Sequence, residues 1–150
     1  MKVVSHHIRR YEKKQGDKGG LELSSTLQFV LDGVQQGCTL VWDVITECSR
    51  KVNVTLSAGD KIYFNAKKLD YDTQMQLLSQ DTNKHNCCDL PVLTITVDDV
   101  FKLKSSHTTS DINDSFGNKI GCVHDFYIED TVDRGSSDIY INIVGWKMKS

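Results

Sequence analysis

His85-Asn86-Cys87-Cys88-Asp89 gathers more potential metal ligands than any other stretch of this chain. A structural zinc ion wants two ligands spaced by two to four residues and a second such pair elsewhere. Adjacent cysteines do not easily reach one tetrahedral ion together, and no second pair follows. The segment reads as a loop carrying two thiols, and no metal or cofactor is expected. His124 beside Asp125 has the composition of a base with its orienting carboxylate. On an alternating strand, however, neighbours point to opposite faces. His124 is therefore expected in the core, bonded to backbone or water.

The same geometry separates Asp98 from Asp99, and Asp99, on an otherwise apolar face, reads as a bulge or a sheet rim. Asp111, Asn113 and Asp114 have the carboxylate spacing of a calcium loop but lack the sixth-position glycine and terminal glutamate of an EF-hand. There is no Gly-rich phosphate loop, no Gly-x-Ser-x-Gly elbow and no His-Glu-x-x-His. The chain reads as non-enzymatic. A small hydrolase or nuclease using His124 or His107 is the least supported class.

Charge is more informative. Residues 1–20 hold Lys2, Arg9, Arg10, Lys13, Lys14 and Lys18 against Glu12 and Asp17. Six cations and two acids give +4 in a chain of net −2, which leaves −6 for residues 21–150. Three glycines in Gln15-Gly16-Asp17-Lys18-Gly19-Gly20 suggest a hinge, so residues 1–20 read as a basic arm and residues 21–150 as the globular body. Arg9-Arg10-Tyr11 and Lys13-Lys14 interleave an aromatic with cations, which suits phosphate contact. Lys2, Arg9, Arg10, Tyr11, Lys13, Lys14 and Lys18 are the candidate site for an anionic partner, either nucleic acid or a membrane surface.

At 150 residues, 39% apolar and 25% charged, the chain has ordinary values for one soluble domain. No apolar run is long enough for a membrane span and the N-terminus has no apolar signal region. The expected location is intracellular, cytoplasmic or peripheral to a membrane, and not secreted. Cys38, Cys48, Cys87, Cys88 and Cys122 are then free thiols. The sequons at Asn53-Val54-Thr55 and Asn113-Asp114-Ser115 are accidental in such a compartment.

The elements that carry these residues are mostly strands. Leu21, Leu23, Ser25, Leu27, Phe29 and Leu31 alternate with polar residues. Residues 52–66 read as a hairpin turning at Ser57-Ala58-Gly59-Asp60, and residues 93–103 as one long strand. Two final strands carry Ile120, Cys122, His124, Phe126 and Ile128, then Ile139, Ile141 and Ile143, with a turn at Asp133-Arg134-Gly135-Ser136-Ser137. Val41, Val44, Ile45 and Cys48 fit a helical stripe over residues 39–51, although their β-branching opposes it. Residues 70–80 are a second helix candidate, with Tyr71, Met75 and Leu78 on one side. The polar residues 105–119 read as a long loop. The expected fold is β-rich α+β: a single domain, mostly antiparallel sheet or sandwich, about six strands and one or two short helices. Its core is expected to hold Leu23, Leu27, Phe29, Leu31, Val44, Ile62, Phe64, Ile95, Val97, Phe101, Phe126, Ile128, Ile139 and Ile141.

The order of a basic segment (Arg9-Arg10-Tyr11-Glu12-Lys13-Lys14), a long apolar strand (residues 21–31), a short helix (residues 39–51) and a β-rich body resembles the rhabdovirus type of viral matrix protein. The resemblance covers the first third of the chain, and the Pro-Pro-x-Tyr motif of some members is absent. It implies self-association beneath a membrane and contact with a nucleocapsid. The expected function is accordingly a structural, self-associating protein, a viral matrix protein on that resemblance, which binds a membrane surface or RNA through its arm. The competing reading is a soluble β-sandwich module for protein–protein interaction with an idle basic tail.

Overall fold

The computed structural model describes residues 2–12, 21–100, 102–130 and 138–147, with the backbone alone before residue 24 and at Asp130. Among the described residues ten strands follow one another: β1 (Lys2–Glu12), β2 (Leu21–Val30), β3 (Thr39–Thr46), β4 (Val52–Ala58), β5 (Lys61–Lys68), β6 (Gln76–Lys84), β7 (Val92–Asp98), β8 (Leu103–Asn113), β9 (Lys119–Asp130) and β10 (Asp138–Trp146). They form two five-stranded sheets, in the orders β1-β2-β7-β4-β5 and β6-β3-β10-β9-β8. Every pairing is antiparallel. The sheets stack as a sandwich, with β5 beside β6 at one margin and β2 over β8 at the other.

Alternation explains the layering. On β3, β4, β7 and β10 every second residue is buried, as a strand with one face on a core requires. Phe29 of the first sheet meets Phe126 of the second with ring centroids 5.0 Å apart. Trp42 of the second meets Phe64 of the first at 5.1 Å. The connection from β2 to β3 crosses between sheets and uses Gly33 and Gly37 at φ of 85° and 97°. Between them Val34 is fully buried, within van der Waals reach of the Gly145 position on β10.

No helix occurs among the described residues, so both expected helices are corrected. Residues 39–51 are mostly β3, with Leu40, Trp42, Val44 and Thr46 inward. Residues 70–80 are a connection followed by the start of β6. The expected loop at 105–119 is mostly β8, closed by a tight turn in which the Asp114 carboxylate accepts from the amides of Phe116 and Asn118, both at 2.9 Å. These bonds to the charged form hold the Asp114 carboxyl below its ordinary range. The long strand expected at 93–103 stops at Asp98, because Asp99 takes φ of 58°, a left-handed conformation that Asp tolerates.

Eleven of the fourteen expected core residues are buried. Leu23 and Phe101 lie outside the described side chains. Ile62 is 62% exposed. A bulge between Leu56 and Ser57 pairs Leu56 with Phe64 and Ser57 with Ile62. The extra residue turns both Tyr63 and Phe64 inward and Ile62 outward.

The β4–β5 turn offers a local test. Gly59 has φ of +57°, and a Cβ there would lie 2.7 Å from Asp89 Oδ2. Gly59→Ala is expected to lower stability by about 1–2 kcal/mol from backbone strain, with Asp89 displaced. An unchanged denaturation midpoint would contradict this.

Candidate functional site

Strand alternation leaves a second set of side chains on the outer face of the β6-β3-β10-β9-β8 sheet, and register aligns them in rows. Gln80 pairs with Asp43, Asp43 with Asn142, Asn142 with Asp125 and Asp125 with Thr108. One polar row thus crosses all five strands. Beside it runs a row of Ile45, Tyr140, Tyr127 and Ser106. From Asp43 to Thr108 the rows line a groove of about 440 Å³, with Ile141 and Phe126 beneath.

The polar row is internally ordered. Gln80 Nε2 donates to Asp43 Oδ1 at 2.6 Å and Asn142 Nδ2 donates to Asp125 Oδ1 at 2.6 Å. Each amide thus fixes one oxygen of its carboxylate. The rings of Tyr127 and Tyr140 lie 5.3 Å apart, tilted by 44°. Tyr140 donates to Asp138 Oδ2 at 3.4 Å. A hydrogen bond to Asp138, with burial and nearby acidic charge, pushes Tyr127 up to about 12. Both hydroxyls stay protonated at neutral pH, and Asp138 holds them at one end of the groove.

A second concavity, of about 430 Å³, is lined by Asp32, Gly33, Thr109, Ser110, Asp111, Lys119, Cys122 and His124. His124 is buried, as expected, with His107 Nε2 3.4 Å from its Nδ1 and Cys122 Sγ 3.9 Å from its Nε2. Burial, reinforced by His107, lowers His124 to about 4, and burial raises Cys122. A cysteine nucleophile needs the reverse, a thiolate beside an imidazolium. The geometry resembles a catalytic dyad, but the electrostatics keep both groups neutral.

The other sequence candidates are scattered. His85 is buried and bonds the Tyr63 hydroxyl through Nδ1, while Cys88 and Asp89 are exposed. Among the described residues no three His, Cys, Asp or Glu side chains converge on a point that could hold a metal. All five cysteines are free thiols. Asp98 ends β7 and Asp99 lies in the following turn. Lys2, Arg9, Arg10 and Tyr11 lie on β1, which pairs with β2 from Lys2 opposite Val30 to Glu12 opposite Leu21. Lys13, Lys14 and Lys18 lie outside the described residues, as does the expected turn at 133–137.

Sequence reasoning missed the groove because its residues come from β3, β8, β9 and β10. One signal was legible: Tyr127 and Tyr140 occupy the outward positions of two strands whose alternate residues are Ile, Phe and Cys.

No family model and no curated protein sequence matches the chain. Solved structures do. The C-terminal domain of the BC2L-C lectin from Burkholderia cenocepacia aligns with a TM-score of 0.56 at 14% identity, covering 81% of this chain and 96% of that one. The Ralstonia solanacearum high-affinity mannose-binding lectin gives 0.53 at 10% identity with the same coverage. The Chromobacterium violaceum lectin CV2L, solved with alpha-methyl-fucoside, gives 0.50 at 11%, again with 81% and 96% covered.

This likeness overturns the matrix-protein expectation, and with it an anionic membrane, nucleic acid and a nucleocapsid as expected partners. The matrix resemblance needed a free basic segment and a helix over 39–51. Residues 2–12 instead form a paired strand, and residues 39–46 are β3. The chain has a lectin-like, two-sheet antiparallel β-sandwich fold.

Proposed function

We propose that this protein is a non-enzymatic carbohydrate-binding module whose binding face is the groove on the outer surface of the second sheet. The observation that carries this reading is the pairing of an exposed tyrosine row with a row of carboxylates and amides, on a fold it shares with lectins. A sugar ring has an apolar C–H face and a rim of hydroxyls. The C–H face suits the negative face of an aromatic ring. The hydroxyls are donors for Asp43 and Asp125 and acceptors for Asn142, Ser106 and Thr108. A few ordered polar groups beside an apolar floor is the usual composition of a small-molecule site.

The test is a panel of glycans, mannosides and fucosides included, titrated calorimetrically against wild type and Tyr140→Ala. Tyr140 is 37% exposed, so the fold should tolerate the change. The expected result is binding by wild type that weakens about fivefold in the variant, since one ring contact contributes about 1 kcal/mol. Failure of every glycan to bind would defeat the proposal.

A second reading, a protein-interaction module, draws on Leu69, Tyr71, Met75 and Leu77, which are 56–72% exposed around the β5–β6 connection. Peptide capture by a protein indifferent to all glycans would favour it.

A further inference from the structure

We infer that the groove takes an internal stretch of a neutral, linear glycan laid across β3, β10, β9 and β8, and that it does so without a bridging cation. The inference rests on the carbohydrate-binding reading and goes on to name the ligand class.

Length follows from register. Asp43, Asn142, Asp125 and Thr108 stand on four adjacent strands, and so do Ile45, Tyr140, Tyr127 and Ser106. Three interstrand spacings amount to about 14 Å. That is longer than a single sugar ring, so one ring leaves most of both rows unused. A chain aligned with the rows lays successive C–H faces on Ile45, Tyr140 and Tyr127. Its hydroxyl edge then lies along the carboxylates and amides. The rows run across the strands and end on β8, the edge of the sheet, so a chain continuing past β8 leaves the sheet instead of meeting a further strand of it.

Charge gives the second property. Among the described residues that line the groove, Asp43 and Asp125 are the ionisable groups besides the two tyrosines, and none is a lysine or arginine. A uronic or sialic acid would bring a carboxylate against two others with no cation to offset it.

Cation independence follows from spacing. Asp43 and Asp125 are separated by β10, two interstrand spacings or about 9–10 Å. Calcium–oxygen bonds of about 2.3–2.6 Å cannot bring both carboxylates onto one ion. Each already accepts an amide hydrogen at 2.6 Å. These carboxylates are arranged to accept hydroxyls at separate points along a ligand.

The experiment is calorimetric titration with mannose, mannohexaose, glucose, cellohexaose and a hexamer of galacturonate, each in EDTA and in calcium. Asp43→Asn and Asp125→Asn accompany wild type, and thermal melts verify folding. The expected result is that at least one neutral hexamer binds about tenfold or more tightly than its monosaccharide. That affinity should be the same in EDTA, exceed that for the galacturonate hexamer and fall in both variants. Monosaccharide binding equal to the hexamer, loss of binding in EDTA, or full affinity in both variants would overturn the inference while leaving the carbohydrate-binding reading intact. Silence across this panel and the wider glycan panel would remove both.

Discussion

Phe29→Ala is expected to lower the unfolding free energy by about 3–5 kcal/mol, the range for emptying a large buried aromatic site. Phe29 is 1% exposed and belongs to β2, but its ring partners belong to the other sheet: Phe126 at 5.0 Å and His107 at 6.3 Å. Truncation therefore opens a void between layers as well as within one strand. Neither sheet can collapse into it freely, because Phe126 is itself held by His107, stacked at 4.7 Å. Aromatic anchoring recurs at the other margin, where Trp42 packs on Phe64 and donates from Nε1 to Ser79 Oγ at 2.9 Å. Domains of this size commonly have only about 5–15 kcal/mol in total. The denaturant midpoint should fall with little change in slope. A Phe29/Phe126 double-mutant cycle should show coupling, because the two rings touch. A loss below about 1 kcal/mol would mean that the sheets are not held together where these rings place them.

That inter-sheet core was legible because its residues obey period two, and the places where the reading failed share a physical cause. On β3 the inward set is Leu40, Trp42, Val44 and Thr46, whereas Val41 and Ile45 face outward. Apolar residues on both faces blur a two-residue period into a helical one. Ile45 is outward because it belongs to the tyrosine row of the groove. A misleading local pattern thus marked a candidate functional surface. β8 failed in the opposite sense. As an edge strand it carries Ser105, Ser106, Thr108, Thr109 and Ser110, polar on both faces, and so it resembles a loop. The bulge that exposes Ile62 is set by pairing with β4, which no local pattern encodes. In β1 the charges of Arg9 and Arg10 outweighed Val3, Val4 and Ile8, whose β-branching favours a strand. The groove was illegible for a simpler reason, since its rows exist only once β3, β10, β9 and β8 are in register.

Acidification from pH 7 to about 4.5 is expected to destabilise the fold, with His124 the largest single contributor. Burial, then the neighbouring His107, lower His124 from the ordinary 6.5 to about 4. The unfolded chain therefore takes up a proton near pH 6.5 that the folded chain refuses until about pH 4. Between these values the unfolded state binds more protons, so stability falls as pH falls, levelling off only below about 4. A displacement of this size corresponds to about 3 kcal/mol at the acid end. His85 and His107 are also lowered, chiefly by burial, and add losses of the same sign in the same window. Carboxylates act lower on the scale. Asp70, held below its ordinary value chiefly by its bond to Lys68, and Asp114 lose their contribution only as pH falls through the carboxylate range. The two classes therefore separate on the pH axis. Chemical denaturation at half-unit steps should give wild type a slope between pH 6.5 and 4.5 that is reduced in His124→Leu, a near match in bulk that cannot titrate. A variant retaining the full wild-type slope would show that His124 is not the residue that resists protonation. His107→Leu should reduce the slope less, because His107 lies nearer the edge of the sandwich and remains half-buried.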